Sequence, residues 1–597
     1  MKIGIFKRII AFFLALVVVF SLLTTLISCN KGNSDNSQSN KPDAFLPDAS
    51  PDTDDAEDNV EIFIPDDKEY GREATDFDKI EYKKPNFDAV TEKLQVIISA
   101  IEKNESSFDE QLTLIKELEA DYSSILTMRT LADINVAKNS SSEYWMKEYE
   151  YINGSFPALT SVIEDMYVAA ANSPHAERFE DEYFGDGLIE EYKDGGKFTD
   201  ELVALFESEE TLEAEYTSIA TSDDYTADEL KSKKTEIFIS LVKIRRQIAD
   251  ELGYKTYAEY AYETLGRDYS SQKASKLLDD ICEYILPTYQ VLSYTTLAKY
   301  VFKDGSVTPS KLSVPGLING SLDVVASFDE SYRDIFCYML QNKLFDVDGK
   351  RPNRNEGAFV TYLEDQDSPF LFMSANNDIT DFPTFIHEFG HFIDSYINYN
   401  SDASIDQKEI SSQAFEYLSL TRMDTVLSES DVRYLTEVQM LNALMTLIFQ
   451  GFYAKAEELI YAIPYDRITK EELDSAVVSA AEAFSLNTKY INDISAIFIT
   501  HTFIYPFYVQ SYCTSLIPAL EIYFMEIENT GAGFEAYKKL IDRNGENFTL
   551  EEALADAGIE SPFSEDIVLK LAGKILSYVN TGTLPEENGD GQLEVAA

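Results

Sequence analysis

FPTFIHEFGHFID, Phe382 to Asp394, is the stretch from which the fold and the chemistry are both read. Positions i and i+4 of an α-helix lie one above the other on the same face. His387 and His391 therefore offer two imidazoles to one metal ion. Glu388 follows the first of them, where its carboxylate can reach a metal-held water; H-E-x-x-H is the arrangement for zinc-assisted peptide hydrolysis. The flanks predict the helix: Asp381 can cap its start, Pro383 suits a first turn, and Phe382, Phe385, Ile386, Phe389 and Phe392 supply apolar faces. Two half-buried histidines on an amphipathic helix would show the same spacing. The chain has only four histidines in 597 residues, and two stand here.

A catalytic zinc takes three protein ligands and keeps a position open for water. EISSQAFE, Glu409 to Glu416, supplies a candidate third ligand. Glu409 lies 22 residues after His387 on the next predicted helix, and a short connection, Asn398 to Ser404, lets that helix fold back. Glu416 falls two turns further along the same face, where it can accept a hydrogen bond from the far nitrogen of a ligand histidine. In so acidic a chain, a glutamate taken alone is more often solvated than bound to metal.

The formal net charge is -57, with 45% apolar residues. That apolar share is ordinary for a globular protein. The charge excludes nucleic-acid binding, because a phosphate backbone would be repelled, and favours neutral or basic peptides over acidic ones. The length predicts more than one lobe. The four cysteines, Cys29, Cys282, Cys337 and Cys513, show no C-x-x-C spacing, so neither a disulfide framework nor cysteine ligation of zinc is expected.

Met1 to Ser28 reads as a signal segment, with Lys2, Lys7 and Arg8 ahead of an apolar run. Leu26-Ile27-Ser28-Cys29 resembles a bacterial lipobox, so Cys29 is the expected lipidation site. Residues 29–75 then read as a polar tether, rich in Asn, Ser, Asp and Pro near its start. The expected location is the bacterial cell membrane, lipid-anchored, on its extracytoplasmic face. An uncleaved membrane helix is the competing reading, since the apolar run from Ile9 to Ile27 is nearly long enough to span.

Residues 76–226 read as an N-terminal helical region and 227–582 as a catalytic region, with a polar tail over 583–597. Helical periodicity recurs over Phe87–Lys103, Phe108–Asn135, Ser142–Asn172, Ala227–Leu252, Ser271–Phe302, Phe328–Phe345, Val432–Ile463 and Asn492–Tyr523. Ala358–Tyr362 and Pro369–Met373 are short, apolar and aromatic, and predict two strands just before the histidine helix. A strand edge there could pair with an extended peptide, which makes Phe370, Phe372 and Ser374 candidate substrate-binding residues. A purely structural hairpin fits the same residues.

HEFGH followed by E-x-x-S-Q-x-x-E resembles the zinc oligopeptidases of the thimet oligopeptidase and oligoendopeptidase F family. Gly357-Ala358-Phe359, Ser368-Pro369-Phe370 and Asp381 to Thr384 resemble its lead-in. The likeness runs from about Ala227 to the end; the N-terminal helices match in character only. One departure is Asp394, where the family often has a further histidine. HTFIYPFYVQSY, His501 to Tyr512, resembles the family's C-terminal histidine and tyrosine segment. The resemblance implies His387, His391 and Glu409 as ligands of one zinc ion per chain, Glu388 as general base and Glu416 as the supporting carboxylate. It implies oxyanion donors among His501, Tyr508, Tyr505 and Tyr512, with Tyr508 favoured. It also implies a mainly α, two-lobed metallopeptidase with a deep cleft, a small β-sheet beside the active-site helix, and short oligopeptides as substrates. The alternative is a catalytically weak, peptide-binding surface lipoprotein on the same scaffold. A purely structural protein of helical hairpins would bind no stoichiometric zinc.

Overall fold

The computed structural model describes residues 61–585, apart from 67, 69, 74, 105, 186, 194, 196–198, 221–224, 298–308, 400–402 and 543–547. The expected signal segment, the expected lipidation site Cys29 and most of the polar tail lie outside the described residues.

The first three long helices are α1 (Phe87–Lys103), α2 (Phe108–Lys138) and α3 (Glu143–Asn172). In α1 the buried Phe87, Val90, Leu94, Ile97 and Ile101 recur every three or four residues and form one stripe. Ser107 and Glu110 close a capping box at the start of α2. With Phe156, Ile163, Tyr167 and Phe184 these helices enclose a small core of their own. The larger core holds nearly everything after residue 200. Its leading helices are α4 (Asp200–Ala220) and α5 (Ala227–Glu251), which pack side by side.

The sheet has three strands, β1 (Phe345–Gly349), β2 (Ala358–Leu363) and β3 (Ser368–Ala375), in the order β1-β3-β2. β1 runs parallel to β3, with Phe345 opposite Leu371, and β2 runs antiparallel, with Ala358 opposite Met373. The β2–β3 hairpin is the one the sequence predicts; β1 falls at the end of a stretch expected to be helical. β3 is thus the central strand, and this corrects the substrate-binding expectation. Both edges of β3 are occupied. Phe370 and Phe372 are fully buried, and Ser374 Oγ accepts from Arg354 Nε at 2.9 Å and donates to the Asn355 carbonyl. These three residues serve the core of the sheet.

Two further expectations change. The tether ends earlier than residue 75. Tyr70 is buried, Phe63 N–H donates to Asn319 Oδ1 at 2.8 Å, and Arg72 pairs with Asp367 at 2.9 Å and stacks on Tyr396. The described residues between 61 and 75 are therefore strapped to the larger lobe. The stretch Asn492–Tyr523 is broken into a 3₁₀ turn (Ile494–Ile497), a short helix and a long one, with a kink between the two helices at Tyr505-Pro506-Phe507. Pro506 has no N–H to continue the first helix, and it biases Tyr505 away from helical angles.

The framework of the site comes from α6 (Asp381–Asn398), α7 (Ile405–Ser419), α8 (Glu429–Tyr461), α9 (Thr500–Ile504) and α10 (Gln510–Glu528). α7 packs against α6 on one side and α10 on the other. Asp381 opens α6 without capping it. Its carboxylate accepts from the N–H groups of Asn376, Asn377 and Asp378, which fixes the turn that leads out of β3.

Candidate metal centre

His387, Glu388 and His391 lie on α6, and Glu409 reaches them from α7. Gly390 lets the two helices approach. A Cβ on it would stand 2.8 Å from Ser412 Cα and 2.9 Å from the Ser411 carbonyl oxygen. Glu409 Oε2 lies 3.8 Å from His387 Nε2 and 3.7 Å from His391 Nε2. One ligand atom from each of the three falls within 4.8 Å of the others. Donors each about 2 Å from a tetrahedral zinc stand roughly 3.3 Å apart, so a small inward movement completes the site.

The donors also fit a metal by what they lack. Both Nε2 atoms are buried without a hydrogen-bond partner, as are both carboxylate oxygens of Glu388. Orphaned polar atoms in a protein interior are costly, and a cation between the Nε2 lone pairs and Glu409 removes that cost. His387 Nδ1 bonds Glu416 Oε2 at 2.9 Å, which leaves the Nε2 lone pair facing Glu409. Glu416 is held in turn by Gln439 Nε2 at 2.7 Å, and Gln439 Oε1 accepts from Asn442 Nδ2 at 2.9 Å. Both of these belong to α8. No spacing rule connects them to the motif, and sequence reasoning missed them.

Electrostatics marks the site as strongly perturbed. Burial pushes the Glu388 carboxyl up to about 8, with the carboxylates of Glu409 and Glu416 adding to the rise and His387 opposing it. Burial also raises Glu409. At His387 burial disfavours the charged ring, but the hydrogen bond it donates to Glu416 and the surrounding carboxylates outweigh it and bring the group to about 9. His391 is driven well down by burial and by His387. A divalent cation among these groups would favour the neutral imidazoles and the ionised carboxylates.

His501, Tyr505, Tyr508 and Tyr512 form one aromatic group beside Glu409. The His501 ring lies 5.4 Å from Tyr508 and 5.9 Å from Tyr512, centre to centre. The structure gives the tyrosines different partners. Tyr508 donates its hydroxyl to Glu409 Oε1 at 2.5 Å. Tyr512 OH lies 3.3 Å from His501 Nε2. Tyr505 is buried, its ring 6.4 Å from His501. Burial holds His501 down at about 4, so its ring is neutral at neutral pH. Arg245 of α5, fully buried, pins the short helix that carries His501. It donates to the carbonyls of Thr502 and Phe503 and pairs with Glu209 and Glu213 of α4.

Comparison with known proteins follows the same direction. The family profile described as the Peptidase M3 N-terminal domain matches residues 77–193. This is the region in which the sequence motifs showed a likeness of character only. The oligoendopeptidase F homolog of Borreliella burgdorferi is 26% identical over 200 residues, 31% of this chain and 33% of that protein. Oligopeptidase PepF of Bacillus subtilis is 24% identical over 265 residues, 41% of this chain and 38% of that one. The chain therefore aligns with about a third of the length of the curated relatives it matches. Among solved structures, PZ peptidase A with inhibitor 2 shares the fold with a TM-score of 0.72 at 20% identity, over 85% of this chain and 99% of that one. The mainly helical body with its small sheet is thus an oligoendopeptidase F-like fold.

Proposed function

We propose that this protein is a zinc-dependent metalloendopeptidase that hydrolyses short oligopeptides. The observation that carries the reading is the pair of buried, unpartnered Nε2 atoms facing Glu409 Oε2 at 3.7 and 3.8 Å. His387, His391 and Glu409 would hold the ion, with Glu416 fixing the His387 ring. A zinc ion there would polarise the scissile carbonyl and lower the pKa of an attacking water. Glu388 takes the proton of that water and delivers it to the leaving amine; its buried, partner-free carboxylate is suited to holding a proton between the two steps. His501 and Tyr512 donate to the oxygen that becomes negative, with Tyr505 behind them. Tyr508, favoured for that role by the sequence, has its hydroxyl engaged by Glu409. The family likeness supports oligopeptides as substrates, and lipidation at Cys29 would hold the enzyme at the membrane.

The test is digestion of a mixed peptide library with and without a chelator, repeated with Glu388→Gln. The reading predicts cleavage that stops with chelator and returns with zinc. It predicts a turnover loss of about 10²- to 10⁴-fold in Glu388→Gln, with zinc retained. Cleavage by Glu388→Gln at the wild-type rate would remove Glu388 from its role. Zinc binding without any cleavage would leave a peptide-binding protein.

A further inference from the structure

The kink between α9 and α10 contains an unusual residue. Phe507 has φ +66°, left-handed backbone that a bulky side chain rarely adopts. Such a conformation persists only where its surroundings impose it, and it concentrates at functional sites. Both backbone polar groups of Phe507 are held by buried ionisable side chains. Its N–H donates to Glu457 Oε1 of α8 at 3.0 Å, and its carbonyl accepts from Arg267 Nη2 at 3.0 Å. The same guanidinium donates through Nε to Asp406 Oδ2 at 3.1 Å. Asp406 lies on α7 one turn ahead of Glu409, so Arg267 ties the kink to the helix that carries the third ligand. The residue after the kink is Tyr508, whose hydroxyl holds the outer oxygen of Glu409 while Oε2 faces the histidines.

We propose that Glu457 and Arg267 are positioning residues: they impose the left-handed turn at Phe507 and so keep the Tyr508 hydroxyl on Glu409, fixing that carboxylate for the metal. The proposal rests on the metal reading above. A carboxylate free to rotate about its last bond presents either oxygen or both; the Tyr508 hydroxyl on Oε1, with Ser412 Oγ 3.3 Å from Oε2, holds the group so that Oε2 faces the histidines. Glu457 Oε2 has no hydrogen-bond partner, and burial raises the group to about 8. Its neutral form is therefore the resident one near pH 7, and Gln at 457 reproduces the acceptor that Phe507 uses.

The experiment is a chelator competition for zinc on full-length wild type, Glu457→Ala, Glu457→Gln, Tyr508→Phe and the Glu457→Ala/Tyr508→Phe pair, with thermal melts of the zinc-free forms. Glu457→Ala and Tyr508→Phe are each expected to weaken zinc binding by about tenfold or more, the range for partners that orient a ligand. The pair is expected to be no weaker than Tyr508→Phe alone, because both act through one hydrogen bond. Glu457→Gln is expected to bind zinc within about threefold of wild type. Wild-type affinity in Glu457→Ala, or losses that add in the pair, would overturn the proposal. Tyr508→Phe is the mildest change and decides the matter if Glu457→Ala does not fold: unchanged affinity there overturns it too. A wild type that binds no zinc defeats the metal reading itself, so the two failures are distinct.

Discussion

His501 shows how much a single buried group contributes to the behaviour of the site. Its ring is held at about 4 by burial, below the ordinary 6.5. The unfolded chain therefore takes up the proton first as pH falls. Stability from this group is complete above about 6.5 and is lost between about 6.5 and 4, a difference of about 3 kcal/mol. Thermal or urea unfolding of wild type and His501→Gln should show that contribution shrinking across this window. Curves that stay parallel from pH 7 to 4 would contradict it. At this scale the sequence is informative where chemistry is local. The two histidines and Glu388 are set by helical spacing, and Glu409 by a short connection between helices. Glu416 is legible as a residue two turns on. Gln439, Asn442, Glu457 and Arg267 are not, since each reaches the site from a distant segment with no fixed spacing. The choice among Tyr505, Tyr508 and Tyr512 depends on the turn at Phe507, which residue pattern alone does not reveal.

Between α6 and α7 the decisive feature is a missing side chain. Glycine inside an exposed helix costs up to about 1 kcal/mol relative to alanine, so replacing it ordinarily stabilises. At Gly390 the sign reverses, because the new methyl would meet the backbone of Ser411 and Ser412, and backbone cannot step aside as a flexible side chain can. Gly390→Ala should cost about 1–3 kcal/mol in unfolding free energy and loosen zinc, by pushing Glu409 away from the histidines. Equal stability and equal zinc affinity would show that the helices do not need this closeness. α4 (Asp200–Ala220), in an acidic and mixed stretch, and the helix over Val314–Phe328 were not legible from periodicity. Most of the other elements were, including the hairpin before α6. Their neighbours were less so. β1 joins the sheet beside β3, which turns an expected substrate edge into the central strand. Such a pairing joins segments far apart in sequence, and short-range patterns are blind to it. The break at Pro506 was visible in principle, but the aromatic run around it reads as continuous helix.

Across the described residues, two cores, a strap running from Phe63 to Arg72 and a sheet of three strands serve to bring α6, α7 and the kink before α10 to one place. The mainly helical class follows from periodicity; the boundary expected at residue 226 does not, because α4 adds Leu202, Tyr216 and Ile219 to the larger core. The strap does not, because its polar composition hides the burial of Tyr70. The acidic surface says nothing of the site, where carboxylates are buried and their charge is set by neighbours. The central claim is that two imidazoles and one carboxylate converge on a single cation. Zinc content of the purified full-length chain, measured by elemental analysis beside Glu409→Ala, tests it most directly. The account predicts one zinc per wild-type chain, removable by chelator, and none retained by Glu409→Ala under the same conditions. No stoichiometric zinc in the wild type, or the same zinc content without Glu409, would contradict it.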